Sequence, residues 1–111
     1  MRSWHPIPPL CLDDKRLLGE HVEIHAIDSI NKKGLKGYSR HPEVLRWKDY
    51  PEALVLRHIM IVEEMEIRGF NHQSPIEPIP AEPEKVKWPT TIEHIDSMRY
   101  KLSIKLNGYN Q

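Results

Sequence analysis

The segment Gly19-Glu20-His21-Val22-Glu23-Ile24-His25 puts two glutamates and two histidines side by side. On a helix advancing about 100° per residue, Glu20 and Glu23 fall about 60° apart on one face. His21 and His25 fall about 40° apart on another face, and Glu23 lies about 160° from either of them. A zincin-type metal site needs a glutamate directly after its first histidine, and here that position is Val22. Glu23 and the histidine pair therefore do not converge on one ion. His21 and His25 could still hold a metal with one distant ligand, drawn from His41, His58 or His72. The more ordinary role for such a pair is hydrogen-bonded structure.

Paired glutamates on a helix usually face water. Glu23, however, shares its line with Ile27 and Ile30, which predicts partial burial. A half-buried carboxylate is suited to proton transfer or to stabilising developing positive charge. Arg57 and His58 interrupt an apolar run. The Arg57 head would either snorkel to the surface or reach a phosphate from a buried element. Trp4, Trp47 and Trp88 read most simply as core or strap residues; stacking on an exposed base is the alternative.

The elements that must position these groups are helical. Pro6, Pro8 and Pro9 stiffen an extended start. Asp13 or Asp14 caps a first helix running to about Asn31, with Leu17, Leu18, Val22, Ile24, Ile27 and Ile30 as its apolar positions. A basic, glycine-bearing loop follows, and then a short helical turn over residues 41–47 with Pro42 near its first position. Asp49-Tyr50-Pro51-Glu52 has capping-box spacing and opens a helix from Asp49 to Arg68, which Gly69 ends. That helix is apolar on several sides, so it should be central. Five prolines between Pro75 and Pro89 preclude a continuous helix there and predict an extended strap. A second capping box at Thr90-Thr91-Ile92-Glu93 opens a last helix, to about Leu106, with Asn107-Gly108 at its end. The expectation is one all-α domain over residues 1–111: three helices, a short extra helical turn and a Pro-rich strap.

With 111 residues and 39% hydrophobic content, the chain can bury one modest core. No apolar run reaches the length of a membrane span, and the first residues lack a signal-peptide pattern. The lone Cys11 excludes an intrachain disulfide and a cysteine-only zinc site, so the default compartment is the cytosol. Formal net charge is zero, yet Lys32, Lys33, Lys36, Arg40, Arg46 and Lys48 face only Glu43 within their stretch. Such a concentration can bind phosphate on a neutral molecule, or can simply be a solvated loop.

Several pieces of the chain together resemble the pyrimidine-dimer DNA glycosylase and abasic-site lyase family. They are Met1-Arg2 with Trp4, Leu17-Leu18-Gly19-Glu20-His21 with Glu23 and His25, Lys36-Gly37-Tyr38 with His41-Pro42, and Arg46-Trp47. Leu56-Arg57-His58, Glu64-Met65, Arg68-Gly69-Phe70-Asn71-His72 and Ser74-Pro75 complete the set. The resemblance covers roughly residues 1–75; the strap at 76–89 and the helix at 90–108 lie beyond it.

This resemblance implies a compact helical enzyme that needs no metal or other cofactor. The chain's own α-amine would attack C1′ of the sugar carrying the damaged base. The base would leave, a Schiff base would form, and β-elimination would nick the strand. An α-amine, with a pKa of about 7.7–8.0, is partly neutral at pH 7, whereas a lysine is almost wholly protonated. Carried over by position, Met1 supplies the amine, and the bulky Arg2 disfavours its removal. Glu23 matches the family's glutamate, Arg2 a phosphate-contacting arginine, and Arg57 an arginine on the central helix. Two departures stand out: the family's phage type has arginines where this chain has Val22 and Ala26, and it begins with threonine. Phosphate contacts would then lean on Lys32, Lys33, Lys36 and Arg40.

The expected function is a DNA repair glycosylase with abasic-site lyase (endonuclease) activity. It would act as a monomer, in the cytoplasm or nucleoid of a viral or prokaryotic source, on double-stranded DNA carrying pyrimidine dimers or related damage. Two alternatives remain open from the residues: a DNA- or protein-binding module on the same fold without catalysis, and a metal-dependent hydrolase using His21 and His25.

Overall fold

The Asp13 side chain accepts a hydrogen bond from the Arg16 amide at 3.0 Å, satisfying one of the unpaired donors that open a helix. Helix α1 (Asp14–Lys33) follows and closes at Gly34, whose φ of 65° is the left-handed turn that glycine adopts without strain. The computed structural model describes residues 2–34, 41–71 and 75–89. Over these residues the chain is all-helical, with no strand.

Helix α2 (Pro42–Lys48) has His41 as its cap, the ring Nδ1 accepting from the Glu43 amide at 3.2 Å. Helix α3 (Pro51–Ile67) stops before Gly69, at φ 86°. The expected start of α3 at Asp49 is corrected. Asp49 terminates α2, and Tyr50, with no side-chain cap, precedes Pro51. Proline at the first helical position needs no amide partner, which lets the helix begin there.

Helix α1 buries Leu17, Glu20, Ile24, Ile27 and Ile30, one stripe at helical spacing. It packs along α3, and α2 contacts both. As expected, α3 is the most enclosed element, burying residues on several sides, Arg57 and His58 among them. The core gathers Trp4, Ile7, Leu12, Leu17, Ile24, Ile27, Val44, Trp47, Leu54, Ile61, Met65 and Ile76. Each fully buried side chain of this kind contributes roughly 1.5–3 kcal/mol.

Residues 75–89 run without regular structure apart from a single turn at Pro83–Lys85. Ile76 is buried, and Val86 and Trp88 pack against the core, so this segment is a strap across the helices. The Trp88 ring stacks on His5 with centroids 4.6 Å apart. The expected helix over 90–108 lies outside the described residues.

Candidate active site

The chain before α1 is held from below by buried charges. Glu20, on the inner face of α1, is 1% exposed. Its Oε1 accepts from the Trp4 amide at 2.9 Å and its Oε2 accepts from the Ser3 hydroxyl at 2.9 Å. Arg57, reaching across from α3, donates to both oxygens: Nε to Oε2 at 2.6 Å and Nη2 to Oε1 at 2.9 Å. Its Nη1 donates to the Ile7 carbonyl at 2.8 Å.

A second set of charges grips the same segment from α2. The Ser3 amide donates to Glu43 Oε2 at 2.8 Å. Arg46 pairs with Glu43 at 3.1 Å and donates to the His5 carbonyl at 2.7 Å. Burial pulls the Arg46 guanidinium below its ordinary value, against the opposing attraction of Glu43. Residues 3–7 are thus tied to all three helices by charge-assisted hydrogen bonds, a class stronger than neutral ones.

This anchoring delivers Arg2 to an open cleft of about 410 Å³ lined by Arg2, Trp4, Lys15, Arg16, Gly19, Glu20 and Glu23. Glu23 is half-buried, as its alignment with Ile27 predicted. Arg2 lies over the Trp4 ring at 5.1 Å. Arg16 pairs with Asp13 at 3.2 Å on the same side. Two carboxylates, the buried Glu20 and the half-buried Glu23, therefore share one concavity with the three cations Arg2, Lys15 and Arg16.

Gly19 forms part of the wall. It is exposed, and an added Cβ there would meet nothing within 4 Å. Glycine inside a helix costs about 1 kcal/mol relative to alanine, and no packing contact here explains it. What it leaves is space beside Glu23.

Of the residues singled out from sequence, Arg2 and Glu23 come together in the cleft. Met1, Lys36 and Arg40 lie outside the described residues. Lys32 and Lys33 sit at the far end of α1, nine and ten residues beyond Glu23, about 14 Å along the axis. Lys32 pairs with Asp28 at 3.1 Å and donates to the Glu77 carbonyl at 2.6 Å, which ties the strap to α1.

Arg57 requires a correction. Its guanidinium neither snorkels nor opens onto a phosphate-sized cleft: it is 0% exposed, with Nε, Nη1 and Nη2 all engaged. Its place is beneath the site, as the partner of Glu20. Lys15 and Arg16 were missed as site residues. The available signal was helical spacing, since Lys15, Gly19 and Glu23 recur every fourth residue and so share a face.

The histidines form a separate group. His58 of α3 joins His21 and His25, with Nε2 of His25 3.2 Å from that of His21 and 3.1 Å from that of His58. These three could hold a metal ion, and no carboxylate joins them among the described residues.

The model of the pyrimidine dimer DNA glycosylase family matches residues 1–78, a span that holds α1, α2, α3 and every residue lining the cleft. No curated protein and no solved structure matches the chain.

Proposed function

Because the chain belongs to the pyrimidine dimer DNA glycosylase family, we propose that it cleaves the glycosidic bond of pyrimidine dimers or related lesions in duplex DNA and then nicks the strand. The nucleophile is the α-amine of residue 1, and Glu23 is the carboxylate that serves it. The observation that carries this reading is the shared cleft: Arg2, one chain step of about 3.8 Å from residue 1, lines the same concavity as Glu23.

The chemistry assigned to the cleft is as follows. The neutral amine adds to C1′, and the bond from C1′ to the base breaks, its electron pair leaving with the base. The amine, now bonded to C1′, gives up a proton, the C1′–O4′ bond opens and O4′ takes up a proton. The resulting iminium carries positive charge beside the Glu23 carboxylate, which stabilises it electrostatically. Removal of a C2′ proton then expels the 3′ phosphate by β-elimination, and Glu23 is positioned to take that proton. Water finally hydrolyses the imine and returns the amine. Every step runs on the chain's own groups. Arg2, Lys15 and Arg16 supply positive charge for the phosphates flanking the lesion. A dimer stacks poorly, so extruding it costs less than extruding an intact base, and that difference contributes to selectivity.

The test is nicking of a duplex carrying a single cyclobutane dimer, compared with the same duplex undamaged. The reading expects cleavage confined to the lesion strand at the dimer. Absence of cleavage by folded protein, or equal cleavage of both duplexes, would contradict it.

A further inference from the structure

We propose that His21, His25 and His58 bind one divalent transition-metal ion, of which zinc is the representative, and that this ion clasps α1 to α3 on the side of α1 away from the cleft. The inference does not rest on the DNA chemistry.

Geometry is the first argument. The candidate ligand atoms of the three rings all lie within 4.8 Å of one another. Nε2 of His25 is 3.2 Å from that of His21 and 3.1 Å from that of His58. Two nitrogens bound tetrahedrally to zinc at 2.0–2.1 Å are about 3.3 Å apart. His25 is therefore already at ligand spacing from both His21 and His58, and the third pair lies within 4.8 Å.

Hydrogen-bonding capacity is the second argument. A ring nitrogen carries either one proton or one lone pair, never both. Nε2 of His25 faces Nε2 of His21 and Nε2 of His58 at once. As a donor it has one proton for two neighbours; as an acceptor it has one lone pair for two protons. A cation among the three nitrogens accepts a lone pair from each and removes the conflict.

The scaffold is the third. His21 and His25 are one helical turn apart on α1, and His58 sits in the middle of α3. The site thus spans the principal helix–helix contact, where backbone positions are fixed by the core on either side. His58 is buried, while His21 and His25 are half-exposed. An ion can therefore enter from solvent, and water can fill a fourth position. An all-imidazole set selects zinc, cobalt, nickel or copper over the oxygen-seeking magnesium and calcium.

The position separates this site from the cleft. Glu23 lies about 160° around α1 from either histidine, so an ion here does not contact the group assigned to the DNA chemistry. Its effect is on the stability of the α1–α3 pair.

The test is titration of chelator-treated, metal-free full-length protein with Zn²⁺, read by calorimetry and thermal unfolding. The proposal expects one equivalent to bind and Tm to rise by at least about 5 °C at saturation. Co²⁺ should give the intense visible bands of a tetrahedral site. His21→Gln and His25→Gln should each weaken binding at least tenfold and remove the Tm rise, while His41→Gln should leave both unchanged. His58→Gln alters a buried residue, so the two half-exposed positions carry the test. No stoichiometric binding, or binding that survives His25→Gln, would overturn it.

Discussion

Glu20 and Arg57, 37 positions apart, form a bidentate ion pair at 2.6 and 2.9 Å with neither side chain exposed. The same two carboxylate oxygens hold Ser3 and Trp4. A buried pair of this kind adds little net stability, because desolvating both charges offsets their attraction. Its consequence is positional: by holding Ser3 and Trp4 it keeps the adjacent Arg2 at the cleft that Glu23 also lines.

This predicts a specific pattern in a double-mutant cycle. Arg57→Met leaves Glu20 buried and uncompensated, and should destabilise the fold by about 3–5 kcal/mol. Glu20→Met should be costly in the same way. Glu20→Met with Arg57→Met should be more stable than either single change, yet still nick damaged DNA poorly, because residues 3 and 4 have lost their acceptor. Urea unfolding and a nicking assay on the three variants check this. A double variant with wild-type nicking would show that the anchor is dispensable.

Glu23→Gln keeps shape and removes charge at a half-buried site. Stability and DNA binding should change little, while nicking falls at least about a hundredfold, the lower end of general acid–base contributions. Single-turnover kinetics on a dimer-containing duplex measure it. Undiminished nicking would move the catalytic role away from Glu23.

Lys15→Gln should weaken DNA binding to lesion-bearing and intact duplex alike and reduce the slope of log K against log salt by about 1, as loss of one phosphate contact does. Lys33→Gln should leave the slope unchanged, since Lys33 lies far along α1 from the cleft. Fluorescence anisotropy across a salt series distinguishes the two; equal effects would mean that the bound DNA extends to the far end of α1.

At Gly19, substitution by alanine should raise stability by about 1 kcal/mol, because nothing opposes a Cβ there. Gly19→Trp should also fold, but it would fill the cleft beside Glu23 and abolish nicking. Thermal unfolding and the nicking assay report both outcomes. A fully active Gly19→Trp would place the DNA elsewhere.

The sequence was most legible where the physics is local. The Asp13 cap, the Gly69 stop and the buried positions Leu17, Ile24, Ile27 and Ile30 of α1 follow from residue types within a turn or two. By contrast, α1 runs past the expected end near Asn31 to Gly34, and Val22, expected among its apolar positions, is exposed. Asp49 misled because its capping-box spacing is equally compatible with ending α2, and only the packed chain decides between the two. The partial burial of Glu23 could be read from its alignment with Ile27, while its assignment to the chemistry came from the family resemblance. The role of Glu20 could not be read this way, because its partners are Ser3, Trp4 and a residue on another helix. For the same reason Arg57 was expected at a surface it never reaches. His58 was one of three distant candidates to join His21 and His25, and the choice depends on the register of α3 against α1.

Blocking the chain start offers a chemical check. Acetylation of residue 1, or two residues added ahead of it, should leave folding intact and eliminate nicking. With the amine unblocked, nicking should increase from about pH 6 to pH 8 as the ammonium loses its proton, because only the neutral amine is nucleophilic. A rate unaffected by the block would exclude the amine.

The most direct measurement is reductive trapping. Borohydride added during reaction with a dimer-containing duplex converts any Schiff base to a stable secondary amine. Digestion and mass spectrometry then locate the adduct. The account predicts a single crosslink, at the α-amine of residue 1, that is strongly reduced in Glu23→Gln. A crosslink at a lysine, or active protein that yields none, would contradict it.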